Sequence, residues 1–373
     1  MNVTRTLAPY FGLVVLSVSQ SWADLPPVTD LVGASTGIVA VVDWPGNDAR
    51  AVLDLLRGNE LTVYFQSDDP VQVQEVRVLG ATAGLLGHRL FVAQGQPAEI
   101  HLGTNLADCV LVAPTAAAKT TDDEVLRVLR PRGTAVLAGR RMVKRMPQGT
   151  DDWSHPYHGP DNNPQSRDQR ARGPLKTQFI AAPKFSPMPQ QTVAAAGRLF
   201  KAFGHIAHRT NQNHLLNSLL CINAYNGTVL WKRPLPEGFM IHRNTMVATA
   251  DALYMGDHES CKVLDAQTGR LIEEIAVPEP LTDGPVWKWM AIRDGVLYGL
   301  VGDTEVTIDT QESVKRGLGH WPWGMWKGHD YKEPRRSFGF GRTLVAIDLV
   351  SKRLRWSRRT ELYLDGRSVC MNA

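Results

Sequence analysis

The sequence shows little imbalance of charge and contains little cysteine. Its 373 residues carry 41 lysines and arginines against 37 aspartates and glutamates, a formal net charge of +4. So weak a charge over this length does not indicate a nucleic-acid-binding protein, and the composition is not that of a disordered charged tail. With only four cysteines, the chain is not a small disulfide-rich scaffold either.

The chain is rich in glycine and proline, with 32 and 23 residues, and it contains ten tryptophans. Many turns, and therefore many short strands, are expected from this content, and the length predicts two domains. The four cysteines form no CxxC motif, and we expect them to be small buried apolar residues rather than disulfide partners. They are Cys109, Cys221, Cys261 and Cys370.

The amino terminus has the pattern of a secretory signal peptide. An apolar stretch over residues 7–19 follows the cation Arg5, and Ser21-Trp22-Ala23 has the small-x-small spacing of a cleavage site. The stretch is shorter than the roughly 20 apolar residues that a membrane-spanning helix needs. We therefore predict that residues 1–23 are removed, that the mature chain has no transmembrane span, and that it is exported to the periplasm or the extracellular space.

Residues 24–140 predict an α/β domain of Rossmann type. Apolar runs typical of buried parallel strands alternate with segments of helical spacing, which indicates consecutive βαβ units. The strands are predicted at residues 37–43, 61–65, 88–93, 108–113 and 134–138, and the helices at 48–56, 71–79 and 122–129.

This order, with the segment EVLRVLRPRG at residues 124–133, resembles class I methyltransferases. The resemblance implies S-adenosylmethionine as cofactor, a glycine-rich turn after the first strand and an acid after the second. In this chain the turn keeps only Gly46, beside Trp44 and Pro45, and the candidate acids are Asp68 and Asp69. Because the glycines are missing and export removes the chain from cytoplasmic S-adenosylmethionine, we expect a domain that has lost its cofactor. A working methyltransferase remains an alternative.

Residues 141–190 are rich in proline, glycine and polar side chains and predict a hinge between the domains. Within DDWSHPYHGPDNN, residues 151–163, two interpretations are open. His155, His158 and Asp161 are candidate metal ligands, or a general base with its orienting group. Because nothing nearby completes a metal-ligand spacing, we favour a docking loop with Trp153 as its packing anchor.

The second half contains a repeat. Three segments share a strand, a tight turn and a second strand, and the turn residue Gly227 is followed by Gly269 after 42 residues and by Lys352 after a further 83. A second predicted hairpin precedes each copy. Four strands for about 42 residues are typical of a propeller blade, so residues 191–373 predict about three blades, with an insertion near 304–341.

The segments AYNGTVLW (residues 224–231), LDAQTGRLI (264–272) and AIDLVSKRLRW (346–356) resemble the pyrroloquinoline-quinone (PQQ)-like β-propeller repeat. With the other features, the chain is similar to exported bacterial PQQ-binding-like propeller proteins. The resemblance implies that Trp231 and Trp356 dock between neighbouring blades. It makes PQQ a possible cofactor, although the adjacent cysteine pair of quinoprotein dehydrogenases is missing.

A closed propeller typically has four to eight blades, so the predicted propeller is incomplete. Either the chain is a fragment or another chain completes the ring. The function expected first is a binding or scaffold protein without catalytic residues, whose partner is a protein or a carbohydrate on a propeller face. Three tryptophans at 321, 323 and 326 are a candidate stacking platform. A PQQ-dependent oxidoreductase fragment is the alternative.

Overall fold

A computed structural model describes residues 25–44, 48–238, 244–303, 305–314 and 332–372. The predicted signal peptide, Gly46 and the tryptophan-rich part of the insertion lie outside these residues. In the described part of the chain, no helix is long and apolar enough to cross a membrane.

The amino-terminal domain is built on one six-stranded sheet with the order β3-β2-β1-β4-β5-β6. The first five strands are parallel, and the edge strand β6 is antiparallel to β5. The strands are β1 (Thr36–Val42), β2 (Glu60–Ser67), β3 (Leu90–Gln94), β4 (Ala107–Val112), β5 (Leu129–Leu137) and β6 (Arg140–Val143). The helices are α1 (Val28–Val32), α2 (Arg50–Asp54), α3 (Pro70–Thr82), α4 (Pro114–Ala117) and α5 (Asp122–Val128).

Both faces of this sheet are buried, which explains the continuous apolar runs. Val39 and Val41 of β1 pack with α1, α2 and α3, whereas Ala40 and Val42 point to the opposite face and pack with α4 and α5. Successive side chains of a strand alternate between faces, so a strand covered on both sides is apolar throughout. The predicted Rossmann-like fold is confirmed.

Several boundaries differ from their predictions: β6 extends the sheet to Val143, past residue 140, the next strand begins at Met188, before residue 191, and the start of β5 differs most. The sequence predicts a helix up to residue 129 and a strand from residue 134, yet β5 already begins at Leu129, which pairs with Ala107. The strand then shifts its register, and Arg132 has a φ of 64°. Such a β-bulge accommodates Pro131, which has no N–H for the ladder, and so this strand contains a proline.

The carboxy-terminal part consists of three four-stranded antiparallel sheets, each with its strands in chain order. Blade 1 is β7 (Met188–Ala195), β8 (Arg198–Ile206), β9 (Ser218–Asn223) and β10 (Val229–Pro234). Blade 2 is β11 (Met246–Ala248), β12 (Ala252–Gly256), β13 (Cys261–Asp265) and β14 (Leu271–Ile275). Blade 3 is β15 (Val286–Arg293), β16 (Val296–Gly302), β17 (Phe340–Asp348) and β18 (Leu354–Asp365). The first strands of the blades lie side by side, with β11 in contact with both β7 and β15. This arrangement is consistent with a β-propeller, as predicted.

The repeated turns are structurally equivalent. The amide nitrogens of Gly227, Gly269 and Lys352 each donate to the carbonyl four residues earlier, at 2.9, 2.8 and 2.9 Å. All three residues have positive φ, at 77°, 70° and 58°. Glycine adopts this conformation without steric cost, which is why the turns carry it in two of three copies.

The two repeat tryptophans have different surroundings. The indole nitrogen of Trp231 donates to the Ala266 carbonyl of blade 2 at 3.2 Å, and its ring lies against Gly269. Trp231 therefore docks blade 1 on blade 2. Trp356 is 46% exposed and packs beside Tyr298 of its own blade, with ring centroids 6.2 Å apart. All four cysteines are free, and Cys109, Cys221 and Cys261 are buried, as predicted, but the prediction is wrong for Cys370, which is exposed.

Candidate functional site

The parallel strands β1, β2 and β4 end at one edge of the sheet, which we call the carboxyl edge. Strand order reverses between β1 and β4, because β2 and β3 lie on one side of β1 and β5 on the other side of β4. Folds of this type bind ligands beside such a reversal, in the crevice outside the strand ends. Asp68 and Asp69, two of the three residues predicted to bind a cofactor, belong to this edge.

Asp68 and Asp69 follow β2 at this edge, and both have partners within the chain. The carboxylate of Asp69 accepts a hydrogen bond of 2.8 Å from the Val71 amide and so caps α3. The Asp68 carboxylate forms an ion pair of 2.8 Å with Lys119. Ribose hydroxyls would have to compete with these contacts.

Asp43, which directly follows β1, is a carboxyl-edge residue that the sequence did not single out. It is 5% exposed and has a φ of 56°. One carboxylate oxygen accepts from the Thr115 hydroxyl at 3.4 Å, and the other has no hydrogen-bond partner. Burial raises the pKa of Asp43 above its ordinary value, partly offset by a hydrogen bond from Ser67. Its signal in the sequence is an acid at the very end of the first buried strand.

Trp44 occupies the place where the methyltransferase resemblance expects the glycine-rich turn to begin. Its ring is 4% exposed and stacks on Phe65 of β2, with centroids 5.7 Å apart and planes inclined by 22°. The indole is thus part of the domain core, and it fills space beside the strand end.

Residues 151–162 of the hinge, which we call the crossing segment, run across the first strands of all three blades. Trp153 exchanges two backbone hydrogen bonds with Ala194 of β7, at 3.0 and 2.7 Å. The next carbonyl, of Ser154, accepts from Ala248 of β11 at 2.9 Å. Nε2 of His155 then accepts from the Ile292 amide of β15 at 3.2 Å. Three consecutive residues therefore contact three consecutive blades.

The contacts of His155 define its tautomer. Because Nε2 accepts a backbone hydrogen bond, the ring proton lies on Nδ1, which donates to the Ser154 hydroxyl at 2.8 Å. Burial lowers the pKa of His155 to about 4. The ring is therefore neutral at pH 7.

His158 and Asp161 do not converge with His155 on one point. The backbones of His155 and His158 pair at 3.3 and 3.1 Å, but the His158 ring contacts Asp151, with Nε2 2.6 Å from Oδ2. Asp161 accepts from the Asn163 amide at 3.3 Å. In residues that the structure describes, no group of three or more His, Cys, Asp or Glu side chains is placed to hold a metal ion.

The junction between the domains is centred on a buried carboxylate, Asp108 at the start of β4, which is 1% exposed. It accepts from the Ile38 amide at 2.9 Å and forms an ion pair with Arg130, both within its own domain. In blade 1, the side-chain amides of Asn223, the last residue of β9, and of Asn226, in the turn that follows, each donate to it at 2.8 Å. Both domains therefore satisfy the same charge.

These contacts place the propeller at the amino ends of the parallel strands, the opposite edge from Asp43 and Asp68. Thr36, the first residue of β1, donates from its hydroxyl to the Val229 carbonyl at 3.2 Å. Gly37 leaves room for the carboxylate, because a Cβ there would lie 2.9 Å from an oxygen of Asp108. In blade 2, the side-chain amide of Gln267 donates to the Gly33 carbonyl.

No family model matches the chain, and no curated protein matches it. Among solved structures, a putative S-adenosyl-L-methionine-dependent methyltransferase from Methanococcus maripaludis is 18% identical over 29% of this chain and 50% of that one, with a TM-score of 0.25. A SAM-dependent methyltransferase from Aquifex aeolicus is 22% identical over 29% and 59%, with a TM-score of 0.24. The WD40 domain of Neurospora crassa Pan2 is 9% identical over 49% and 39%, with a TM-score of 0.24. The chain thus spans less than two thirds of each of these proteins.

Proposed function

We propose that the chain is an exported binding or scaffold protein without catalysis of its own, in which the Rossmann-like domain is a structural platform for PQQ-like blades. The observation that carries this proposal is the Asp108 junction. A carboxylate that is 1% exposed and shared between two domains is costly to expose, so the domains act as one unit.

The carboxyl edge supports a structural role for the Rossmann-like domain. Asp69 caps a helix, Asp68 is paired with Lys119, and Trp44 packs into the core. Cofactor binding at this edge would have to displace these contacts, each of which stabilises the domain.

We propose that the partner is a protein that binds blade 3, rather than a carbohydrate. Apolar side chains are exposed there, with Val350 at 90%, Leu362 at 79% and Trp356 at 46%. Trp356 and Leu362 lie on β18, an edge strand of its sheet, and Val350 lies in the turn before it, and an edge strand offers backbone groups for pairing with another chain, which favours a protein partner. Further blades, from a longer form of this chain or from another chain, are partners of this kind.

Asp43 favours a second candidate, a methyltransferase. Its unpartnered carboxylate oxygen lies at the strand-order reversal, where this class of fold binds ligands. In this candidate Asp43 contributes to cofactor binding in place of the missing glycines. A PQQ-dependent oxidoreductase remains the alternative that the repeat resemblance implies.

Calorimetry on the chain from Asp24 onward tests these alternatives. S-adenosylmethionine is titrated into the protein and into its Asp43→Asn variant, and PQQ with Ca²⁺ is titrated separately while absorbance is followed with an alcohol or a sugar present. We expect no stoichiometric binding of either cofactor. Micromolar binding of S-adenosylmethionine that weakens in Asp43→Asn would establish the second candidate, and PQQ binding with turnover would establish the oxidoreductase.

Export is tested on its own. The full gene is expressed in a Gram-negative host, the periplasmic fraction is collected, and the first residues of the recovered chain are sequenced. We expect the chain to begin at Asp24. Recovery of the intact amino terminus from the cytoplasm alone would contradict export.

A further inference from the structure

A cavity of about 200 Å³ lies between the Rossmann-like domain and the propeller, at the amino ends of the parallel strands. Its wall combines α1, the start of β5, the β7–β8 turn and the β13–β14 turn. Three arginines, Arg130, Arg132 and Arg198, line it together with Asp108. The cavity is therefore built by both domains and is rich in positive charge.

Of the three arginines in this wall, one is paired with a carboxylate in the part of the chain that the structure describes, and two are not. Arg130 is paired with Asp108, and its Nη1 donates to the Pro131 carbonyl at 3.0 Å. Arg198 donates from Nη1 to the Ala250 carbonyl at 3.2 Å, and Arg132 is exposed. Within the described chain, neither Arg132 nor Arg198 forms an ion pair with a carboxylate.

The carboxylates of the wall do not balance this charge. Asp108 already accepts from Ile38, Asn223, Asn226 and Arg130. The second acid, Asp30, is exposed on α1. Burial lowers the pKa of Arg198, and the neighbouring cations Arg130 and Arg132 act in the same direction, whereas Cys221 and Asp265 act in the opposite one. The arginines therefore repel one another here, and among the residues that the structure describes no carboxylate forms an ion pair with Arg132 or Arg198.

The guanidinium groups of arginine bind oxyanions. Their planar arrays of donors match the oxygens of phosphate, sulfate and carboxylate, and several arginines around one space favour a group with more than one charged oxygen. The cavity is larger than a single tetrahedral oxyanion and leaves room for a few attached atoms.

We infer that the interdomain cavity binds a small oxyanion of the phosphate or sulfate ester class, held by Arg132 and Arg198, with Arg130 completing the positive wall. The site lies at the edge of the sheet opposite Asp43 and away from the exposed residues of blade 3. It goes beyond the proposed function and depends on neither a cofactor nor a protein partner.

Calorimetric titration of the full mature chain with inorganic phosphate and, separately, with inorganic sulfate tests this site, with sodium chloride at matched ionic strength as reference. We expect saturable binding of at least one anion and a dissociation constant at least about tenfold higher in Arg132→Gln, because a charge-assisted hydrogen bond is lost. The anion that binds more tightly identifies the source of the ester. Arg141→Gln is the matched control, since Arg141 is exposed on β6 outside the cavity and its loss changes the net charge equally.

Arg132→Gln is compared with Arg132→Gln/Arg198→Gln, and the fold of each is checked by circular dichroism. Because Arg198 is partly buried, its substitution can prevent folding. If the double variant does not fold, the single variant Arg132→Gln, at an exposed position, still tests the site. Affinity lost in Arg132→Gln and kept in Arg141→Gln supports the site. Absence of binding above the chloride reference overturns it, as does an affinity equal in Arg132→Gln and the parent chain.

Discussion

The side-chain amide of Asn223 donates a hydrogen bond of 2.8 Å to the buried carboxylate of Asp108, across the boundary between the two domains. The equivalent residues in blades 2 and 3 are Asp265 and Asp348, whose carboxylates accept from amides of their own turns. Asn223 also accepts a hydrogen bond from an amide of its own turn, because its side-chain oxygen Oδ1 lies 3.0 Å from the Tyr225 amide nitrogen. Asparagine therefore supplies the acceptor that the turn needs and the donor that Asp108 needs.

Asn223→Asp is expected to destabilise the protein by about 3 kcal/mol at pH 7, because it removes a donor to a buried charge and places a second carboxylate against it. The measurement is the free energy of unfolding in urea. The loss should shrink at lower pH, where one of the two carboxyl groups binds a proton.

Asp265→Asn makes the reverse change in blade 2 and is the matched control, with an expected cost below about 1 kcal/mol, since the amide retains an acceptor. The double variant Asp108→Asn/Asn223→Asp should recover part of the stability. An Asn223→Asp protein as stable as the parent would show that the junction does not depend on this hydrogen bond.

Acidification should weaken the crossing segment through His155. The folded-state pKa of about 4 lies below the ordinary value of 6.5, so the folded state favours the neutral ring. This contribution is complete above pH 6.5 and is lost as the pH falls from 6.5 toward 4, by up to about 3 kcal/mol. Unfolding in urea at pH 7.5, 6 and 5 measures it.

His155→Gln is expected to be less stable at pH 7.5 and to lose less stability between pH 7.5 and 5 than the parent chain. His214→Gln, at an exposed position, should leave the slope unchanged. Burial also lowers the pKa of His205 to about 4, so part of the acid sensitivity will persist in His155→Gln. An identical pH slope in His155→Gln and the parent would refute the role of His155.

Alanine substitutions at two glycines of positive φ distinguish the cost of backbone strain from the cost of steric overlap. A Cβ on Gly227, at φ 77°, would lie 2.7 Å from the Phe179 ring and against Ala181, whereas one on Gly295, at φ 72°, meets no atom within 4 Å. Gly295→Ala should therefore cost about 1 kcal/mol, from backbone strain alone. Gly227→Ala should cost roughly 1–3 kcal/mol more, because overpacking is added. Equal unfolding free energies in urea would mean that the hinge near Phe179 does not pack against blade 1 in solution.

The native protein should expose one reactive thiol. Cys370 is exposed, whereas Cys109, Cys221 and Cys261 are buried, and burial raises the pKa of Cys109 and of Cys221 to about 12. Reaction needs an accessible thiolate. Titration with a thiol reagent should count one equivalent in the native state and four after denaturation, and Cys370→Ser should remove the native equivalent. More than one rapid equivalent in the native state would contradict the burial of the others.

The blades could be predicted because their determinants are local. The turns at Gly227, Gly269 and Lys352 need positive φ within a few residues of sequence, and the flanking strands show this in their pattern. The Rossmann-like sheet could be predicted for a similar reason, because strands that are buried on both faces are apolar throughout. The start of β5 was mispredicted because proline and glycine in a bulge have the same composition as a turn.

The junction and the crossing segment could not be predicted, because their partners are distant in sequence. Nothing near Asp108 indicates that Asn223, 115 residues later, will donate to it. The one sequence signal is that blade 1 has asparagine, Asn223, where the other two copies of the repeat have aspartate. Likewise, the residues around His155 favour a docking loop over a metal site, yet nothing near them indicates that His155 will accept from the Ile292 amide of blade 3.

The crossing segment also determines where the chain can be divided. Its backbone at Trp153 pairs with Ala194 of β7, and its far end is joined to the last described residues, since Pro160 accepts from the Met371 amide at 2.9 Å and Asn162 donates to the Val369 carbonyl at 2.7 Å. A chain that started at β7 would leave that strand's edge unpaired, and an unpaired edge invites pairing between molecules. Blades produced without residues 151–162 should therefore aggregate, however complete their own sheets are.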